Sequence, residues 1–272
     1  YKRQEVFMYP FAYQRVTTTQ EAAAAFQGEA RYLAGGQSLV QAMKLRLSAP
    51  EALVDLGAVS DLQGIRDDGD FVTVGAMTRH ADVAASPLVQ QAIPALAELA
   101  GGIGDPMVRQ MGTLGGSLAN ADPAACYPSA VLALNAQLQT DRRTLSGAEF
   151  FTGLYETALE PGELLVSVRF PKVRQAGYVK LKQPASRFAL VGVFVAKTAQ
   201  GVRVAVTGAK ACVFREPALE AALGRDFSEA AAQAVQLSSD GYSSDLHASA
   251  AYRAAMVSVM AGRAVALARG RG

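Results

Sequence analysis

Two cysteines and two histidines are the whole stock of thiol and imidazole in this chain of 272 residues. Cys126 and Cys212 stand far apart and neither belongs to a CxxC pair, so a four-cysteine zinc or iron–sulfur site cannot be built from this chain alone. His80 and His247 are isolated, without an HExxH or a Cys/His cluster, and no resident metal is expected. Reduced thiols are expected rather than a disulfide. Charge is also scarce: 18% of residues are charged and the formal net charge is +2. No Lys/Arg run is interleaved with aromatics, which argues against nucleic acid as a partner. No apolar stretch reaches the roughly 18 residues that a membrane span needs. The opening "YKRQEVFMYPFAYQRV" is basic but lacks an apolar signal core and a small-residue cleavage site, so a cytoplasmic location is expected.

The standard phosphate and nucleophile motifs are missing as well. There is no GxxxxGK[ST], which disfavours a P-loop enzyme. Gly102-Ile103-Gly104 continues as Asp105-Pro106-Met107 and fails at the last glycine of GxGxxG, so a Rossmann site is unsupported. "GGQSLV" has Val40 where a nucleophile elbow needs its second glycine. His247 lies in the polar stretch "SSDLHASA", so a serine hydrolase built on Ser38 is a poor fit.

What remains is a chain that is 50% hydrophobic, enough for a sizeable core. Residues 1–57 alternate helix and strand signals. "TTTQEAAAAFQ" opens with a threonine cap, "ARYLAGG" is a strand ending at a glycine turn, "QSLVQAMKLRL" is helical and "EALVDLG" returns to strand, a βαβ-like unit. Residues 58–172 are mixed: a hairpin turning at Asp67-Asp68-Gly69, one helix over "SPLVQQAIPALAELAGG", a helix started by Pro123 with Asp122 as its cap, and the strand "ELLVSVRFP". Residues 173–272 read as three strands and then alanine-rich helices, an antiparallel sheet with helices packed on one face. The fold class is therefore α+β in three parts.

Two glycine pairs carry the chemistry. Gly35-Gly36 is followed by Gln37 and Ser38; Gly115-Gly116 is preceded by Thr113 and followed by Ser117. Glycine admits positive φ and close approach of a ligand to the backbone, and successive amides make an anion site. An isolated pair is usually an ordinary turn. Two pairs with matching hydroxyls suit a pyrophosphate held between two loops.

The segments "YPFAY", "AGGQSLVQAMKLRLSAPEALVDLG", "VRQMGTLGGSLANADPAACYP" and "KLKQPASRFALVGV" resemble the FAD-binding medium subunit of the molybdenum hydroxylases, the xanthine oxidase family, in particular its carbon monoxide dehydrogenase-like flavoproteins. The likeness runs from about Tyr9 to Arg269. It implies a two-subdomain FAD-binding domain of the vanillyl-alcohol oxidase type, followed by a C-terminal subdomain. It implies that Ala34, Gly35, Gly36, Gln37 and Ser38, with Leu39, and Thr113, Leu114, Gly115, Gly116 and Ser117 wrap the FAD pyrophosphate. Ile103, Leu165, Lys182 and Phe188 match further cofactor contacts, Lys182 near the flavin and Phe188 stacked on it. Cys126 stands where many relatives place an acidic residue that anchors FAD; a thiol is a weaker partner, and Asp122 either takes over or only caps a helix. The resemblance also implies a large subunit with the molybdenum cofactor, a small subunit with two [2Fe-2S] clusters, a dimer of heterotrimers, and electrons passing through this FAD to an outside acceptor. A stand-alone FAD module or assembly factor is the alternative of a different class.

Overall fold

The computed structural model describes residues 8–271. Residues 1–7, the basic start of the segment read as no export signal, lie outside them. The first region holds β1 (Ala12–Arg15), α1 (Thr19–Ala25), β2 (Ala30–Leu33), α2 (Leu39–Lys44) and β3 (Ala52–Asp55). Its three strands are parallel, with β3 between β1 and β2 and Ala52 level with both Ala12 and Ala30. Thr18 caps α1 as its sequence suggests, its hydroxyl accepting from the Glu21 amide at 3.1 Å.

The middle region begins with β4 (Ile65–Asp68) and β5 (Phe71–Gly75), joined through Gly69 at φ +63°. Five helices follow: α3 (His80–Ala85), α4 (Pro87–Ala92), α5 (Pro94–Gly101), α6 (Pro106–Met111) and α7 (Leu114–Asn120). The single helix expected over α4 and α5 is two. Ile93 takes φ −144°, ψ 65°, because the ring of Pro94 crowds the helical conformation of the residue before it. Next come α8 (Tyr127–Leu134), β6 (Gln137–Thr140), β7 (Thr144–Ser146), α9 (Gly147–Phe150), β8 (Phe151–Gly153), β9 (Glu156–Thr157) and β10 (Leu165–Pro171). The antiparallel sheet runs β4-β5-β10-β6-β7. Its central strand, β10, arrives last in the chain and joins the two hairpins.

The C-terminal region holds β11 (Ala176–Lys182), β12 (Ala189–Thr198), β13 (Gly201–Thr207), β14 (Phe214–Arg215), α10 (Pro217–Arg225), α11 (Glu229–Gln233) and α12 (Ala250–Arg269). The strands form one antiparallel sheet in chain order, with the short β14 added to the three expected. Alternation along β12 divides its side chains. Val191, Val193 and Val195 join the core under α10–α12, while Phe194 and Ala196 join the middle region's core. The sheet's own helices lie on one face, and α5 and α8 of the middle region cover the other. Both faces being buried is why β12 reads as an unbroken apolar run.

The small residues of α12 serve this packing. A Cβ at Gly177 would overlap the Ala264 carbonyl oxygen, so strand and helix backbones nearly touch. Arg253, 3% exposed, donates to the Leu190 and Gly208 carbonyls at 2.6 and 2.7 Å and pairs with Asp245. The alanine-rich face is thus used inside the chain and carries no argument for assembly. Among the described residues no helix is long and apolar enough to cross a membrane.

Candidate functional site

The first glycine loop links the end of β2 to α2. Gly36 has φ +70°, a conformation that costs a residue with a Cβ. Gly35 faces the other loop: a Cβ there would overlap the Met111 carbonyl oxygen and lie 2.8 Å from Gly112 Cα. Among the described residues, the amides of Gly35, Gly36, Gln37 and Ser38 have no hydrogen-bond acceptor. Gln37 and Ser38 are exposed, and the Ser38 hydroxyl does not cap α2. Four consecutive donors therefore stand open at the start of a helix.

The second loop is built the other way. Thr113 caps α7, its hydroxyl accepting from the Gly116 amide at 3.1 Å. The Leu114 amide donates to Thr78 O at 3.0 Å, Gly115 to Ala76 O at 2.7 Å and Ser117 to Thr113 O at 3.1 Å. Gly115 is pressed onto β5's exit, where a Cβ would lie 2.5 Å from Ala76 Cβ and 2.8 Å from Ala76 O. Gly116 faces the first loop, its would-be Cβ 3.3 Å from Ala34 Cβ. The two loops thus meet along Ala34–Gly35 on one side and Met111, Gly112 and Gly116 on the other.

His80 supports that contact, a role the sequence reading did not assign. It is 4% exposed, its amide donates to Gly112 O at 3.0 Å, and its ring lies under Gly112 and against Tyr127, 5.3 Å between centroids. Burial, with a smaller push from Arg109, lowers its pKa to about 4, so the ring is neutral at ordinary pH. Among the described residues, neither the His80 Nδ1 nor the Tyr127 hydroxyl has a hydrogen-bond partner. His247 is exposed in the turn capped by Asp245, and no hydrogen bond among the described residues joins Ser38 to a histidine.

The remaining candidates fall at the seam between the middle and C-terminal regions, with one exception. Ile103 is half-buried against the core; its carbonyl accepts from Arg109 at 2.9 Å. Arg187, itself at φ +62°, donates to the Gly104 carbonyl at 3.2 Å and so ties the β11–β12 turn to the Ile103–Gly104 loop. The same turn is stiffened by Gln183, whose Oε1 accepts from the Ala185 and Ser186 amides at 2.6 and 2.7 Å. It presents Phe188, 47% exposed, with Lys182 exposed just before it. The two arginines were not singled out from sequence, because their acceptors are carbonyls, which carry no residue signature. Cys126 is 5% exposed and its Sγ accepts from Lys180 Nζ at 3.3 Å. Leu165 is the exception: it is 4% exposed and packs in the middle core.

Asp122 needs a correction. It does not cap a helix started by Pro123, because α8 begins at Tyr127. Its Oδ1 accepts from the Ala124 amide at 2.8 Å and closes a turn over Pro123–Ala125; its Oδ2 accepts from the Tyr155 hydroxyl at 3.3 Å. The turn in turn docks on the C-terminal sheet, the Gly208 amide donating to Pro123 O at 2.7 Å.

A parallel α/β unit and an antiparallel sheet thus meet through two glycine loops, one of which keeps open backbone donors. Residues 9–173 match the family described as the FAD binding domain in molybdopterin dehydrogenase, and the chain belongs to that family. It is 37% identical over 256 residues to the carbon monoxide dehydrogenase medium chain of Hydrogenophaga pseudoflava, covering 87% of this chain and 88% of that one. It is 35% identical over 251 residues to the nicotine 6-hydroxylase medium subunit of Paenarthrobacter nicotinovorans, covering 87% and 89%. Among solved structures, a chain of the H. pseudoflava carbon monoxide dehydrogenase superposes with TM-score 0.88 at 36% identity, covering 97% of this chain and 99% of that one. A chain of quinoline 2-oxidoreductase from Pseudomonas putida 86 superposes with TM-score 0.89 at 29% identity, with the same coverage.

Proposed function

We propose that the chain is the electron-transfer medium subunit of a heterotrimeric molybdenum hydroxylase-type dehydrogenase. Its FAD would receive electrons from two [2Fe-2S] clusters on a small partner and release them to an outside acceptor, while a large partner with the molybdenum cofactor oxidises the organic substrate. The observation that carries the cofactor reading is the meeting of the two loops, with four open amides at Gly35–Ser38 opposite the Thr113–Ser117 wall. A pyrophosphate needs several donors and close backbone approach, and both are present there.

Bound FAD supplies reversible acceptance and release of electrons. The chain's part is to hold and tune it. The amides of Gly35 to Ser38 would hold the phosphates, and the Ser38 and Ser117 hydroxyls would add donors. Gly116, lacking a Cβ, lets the ligand approach the loop seam. Ile103 and Phe188 offer apolar surface to the ring system, and Lys182 brings a cation that favours an electron-rich ring. The resemblance also implies contacts from Asp122, Cys126 and Leu165, of which Leu165 is packed in the middle core and Asp122 closes the Pro123–Ala125 turn. The names of the relatives, medium chains of dehydrogenases and hydroxylases with different substrates, support a shared electron-transfer role with the substrate chosen elsewhere.

Two measurements test this. Heat release of the flavin and chromatography should yield FAD; FMN, or no flavin from folded protein, overturns the cofactor assignment. Co-expression with the large and small partners should give one complex, a dimer of heterotrimers, carrying molybdenum, iron and FAD together, its flavin reduced by substrate only when both partners are present. Elution of this chain apart from the metals overturns the assembly reading and leaves FAD binding intact.

A further inference from the structure

The seam between the middle and C-terminal regions holds a polar cluster of which the FAD reading takes up only Cys126. Cys126, at the N-terminal end of α8, is 5% exposed, and Lys180 Nζ on β11 donates to its Sγ at 3.3 Å. Tyr178 lies two residues earlier on the same strand, so its side chain leaves the same face as Lys180. It is 8% exposed, its hydroxyl lies beside the Cys126 thiol and the Thr207 hydroxyl without a well-formed hydrogen bond among the described residues, and burial together with the neighbouring Cys126 thiol raises its pKa well above the ordinary value. The Thr207 hydroxyl is likewise buried and unpartnered. Gly192 lies between them: a Cβ there would sit 2.8 Å from both Tyr178 OH and Thr207 Oγ1. A thiol, an amine and two buried hydroxyls therefore converge.

We propose that Cys126 and Lys180 form a redox modification site in which hydrogen peroxide joins the thiol sulfur to the lysine nitrogen as a sulfenamide. The thiolate is the form that attacks peroxide. Its sulfur takes one peroxide oxygen, the O–O bond breaks, and the other oxygen leaves as water, giving a sulfenic acid at Cys126. The Lys180 nitrogen, as neutral amine, then attacks that sulfur. The S–N bond forms, the S–O bond breaks, and hydroxide leaves as water with the proton that nitrogen sheds. One thiol, one amine and one peroxide give one sulfenamide and two waters. Sulfur is oxidised by two electrons and peroxide is reduced by two. Condensation of a sulfenic acid with a backbone nitrogen is established thiol chemistry; here a side-chain nitrogen already hydrogen-bonds the sulfur. The Tyr178 hydroxyl, beside the Cys126 thiol, can hydrogen-bond the peroxide and the expelled water. Cys212, half-buried and with its pKa raised by burial, has no lysine hydrogen-bonded to it among the described residues. The cross-link depends on the seam geometry alone and would covalently tie α8 to β11.

The test is a peroxide titration of the purified full chain, followed by intact mass and peptide mapping. The expected result is a loss of two hydrogens, one fused peptide joining Cys126 to Lys180, and reversal by dithiothreitol. Cys212→Ser should retain the cross-link. Lys180→Arg, which keeps the charge, should instead leave a sulfenic acid at Cys126 that dimedone traps. The wild-type map needs no variant to fold. A Cys126–Cys212 disulfide, Cys126 oxidised to sulfinic acid with Lys180 unmodified, or an unmodified Cys126 would each overturn the proposal.

Discussion

The loop at Gly35-Gly36 and the loop at Gly115-Gly116 carry the same glycine pair and a hydroxyl nearby, yet their amides go to different places. In the first, the donors of Gly35 to Ser38 have no acceptor among the described residues, and Gly36 needs φ +70° to turn them outward. In the second, the donors of Leu114 to Ser117 are all taken by Thr78, Ala76 and Thr113, and Gly115 serves only to bring α7 onto Ala76. One loop offers backbone donors; the other offers a wall whose backbone donors are already taken. Backbone donors are met by protein, water or ligand, so the first loop has donors free to offer a ligand and the second has none. Substitutions that look equivalent in sequence should then separate folding from binding.

The largest effect should come from Gly115→Val. Its Cβ would meet Ala76 Cβ at 2.5 Å and a backbone oxygen at 2.8 Å, and neither neighbour can swing away. A cost of about 3 kcal/mol or more is expected for such overpacking. The apparent Tm should fall by about 2–4 °C per kcal/mol for a chain of this size. Thermal unfolding measures it, and a wild-type melting curve would break the contrast between the loops.

Acidification should come next, because it strikes the support beneath the loops' meeting point. Burial lowers the His80 pKa to about 4, against 6.5 for an ordinary histidine. Between those values the unfolded chain binds a proton that the folded chain does not, so stability falls as pH drops below 6.5 and is fully present above it. At 1.36 kcal/mol per unit the loss by pH 4 is about 3 kcal/mol. Glu163, held at about 2 chiefly by the Arg143 guanidinium, weakens only below the ordinary carboxylate range, so the window from pH 6.5 to 4.5 reports the histidine. Urea unfolding at pH 7.5 and pH 5 should show the slope, and His80→Gln should flatten it.

Gly36→Val should affect folding less and flavin more. Its φ of +70° disfavours a branched residue by about 1–3 kcal/mol, and its nearest neighbour, Val40 Cγ2 at 3.0 Å, is a side chain that can yield. The variant should fold with a slightly lower Tm and lose its flavin. A flavin-to-protein absorbance ratio equal to wild type would reduce the first loop to an ordinary turn.

What the residues disclosed on their own follows the range of the interaction. The Thr18 cap, the Gly69 hairpin and the strand at Leu165–Pro171 rest on near neighbours, and each is where its sequence puts it. The glycine loops were visible as a pair because both bear hydroxyls. That Gly115 is held by Ala76 and Gly35 by Met111 was not visible, since those partners lie 39 and 76 residues away and contribute mainly backbone. The same holds for Arg187 on Gly104 and for α5 and α8 covering the inner face of the C-terminal sheet. The break at Ile93–Pro94 was legible in the proline, but the apolar period continues across it and masks it.

The two hydroxyls give the finest separation. Thr113 caps α7, accepting from the Gly116 amide, while Ser38 caps nothing. Thr113→Ala should therefore cost about 1 kcal/mol of folding stability by removing the cap. Ser38→Ala should leave stability within about 0.5 kcal/mol, as for a surface substitution. On flavin affinity the order should invert. Losing the Ser38 hydroxyl removes a donor to a charged phosphate, worth about 1.5–3 kcal/mol, or roughly tenfold to a hundredfold in Kd. Thr113→Ala should weaken flavin only as far as the wall loosens. Unfolding curves and flavin titrations of both apo-variants measure the four numbers. Equal losses in both columns for both variants would mean that the loops share one role, and the distinction between a donor loop and a wall would fall.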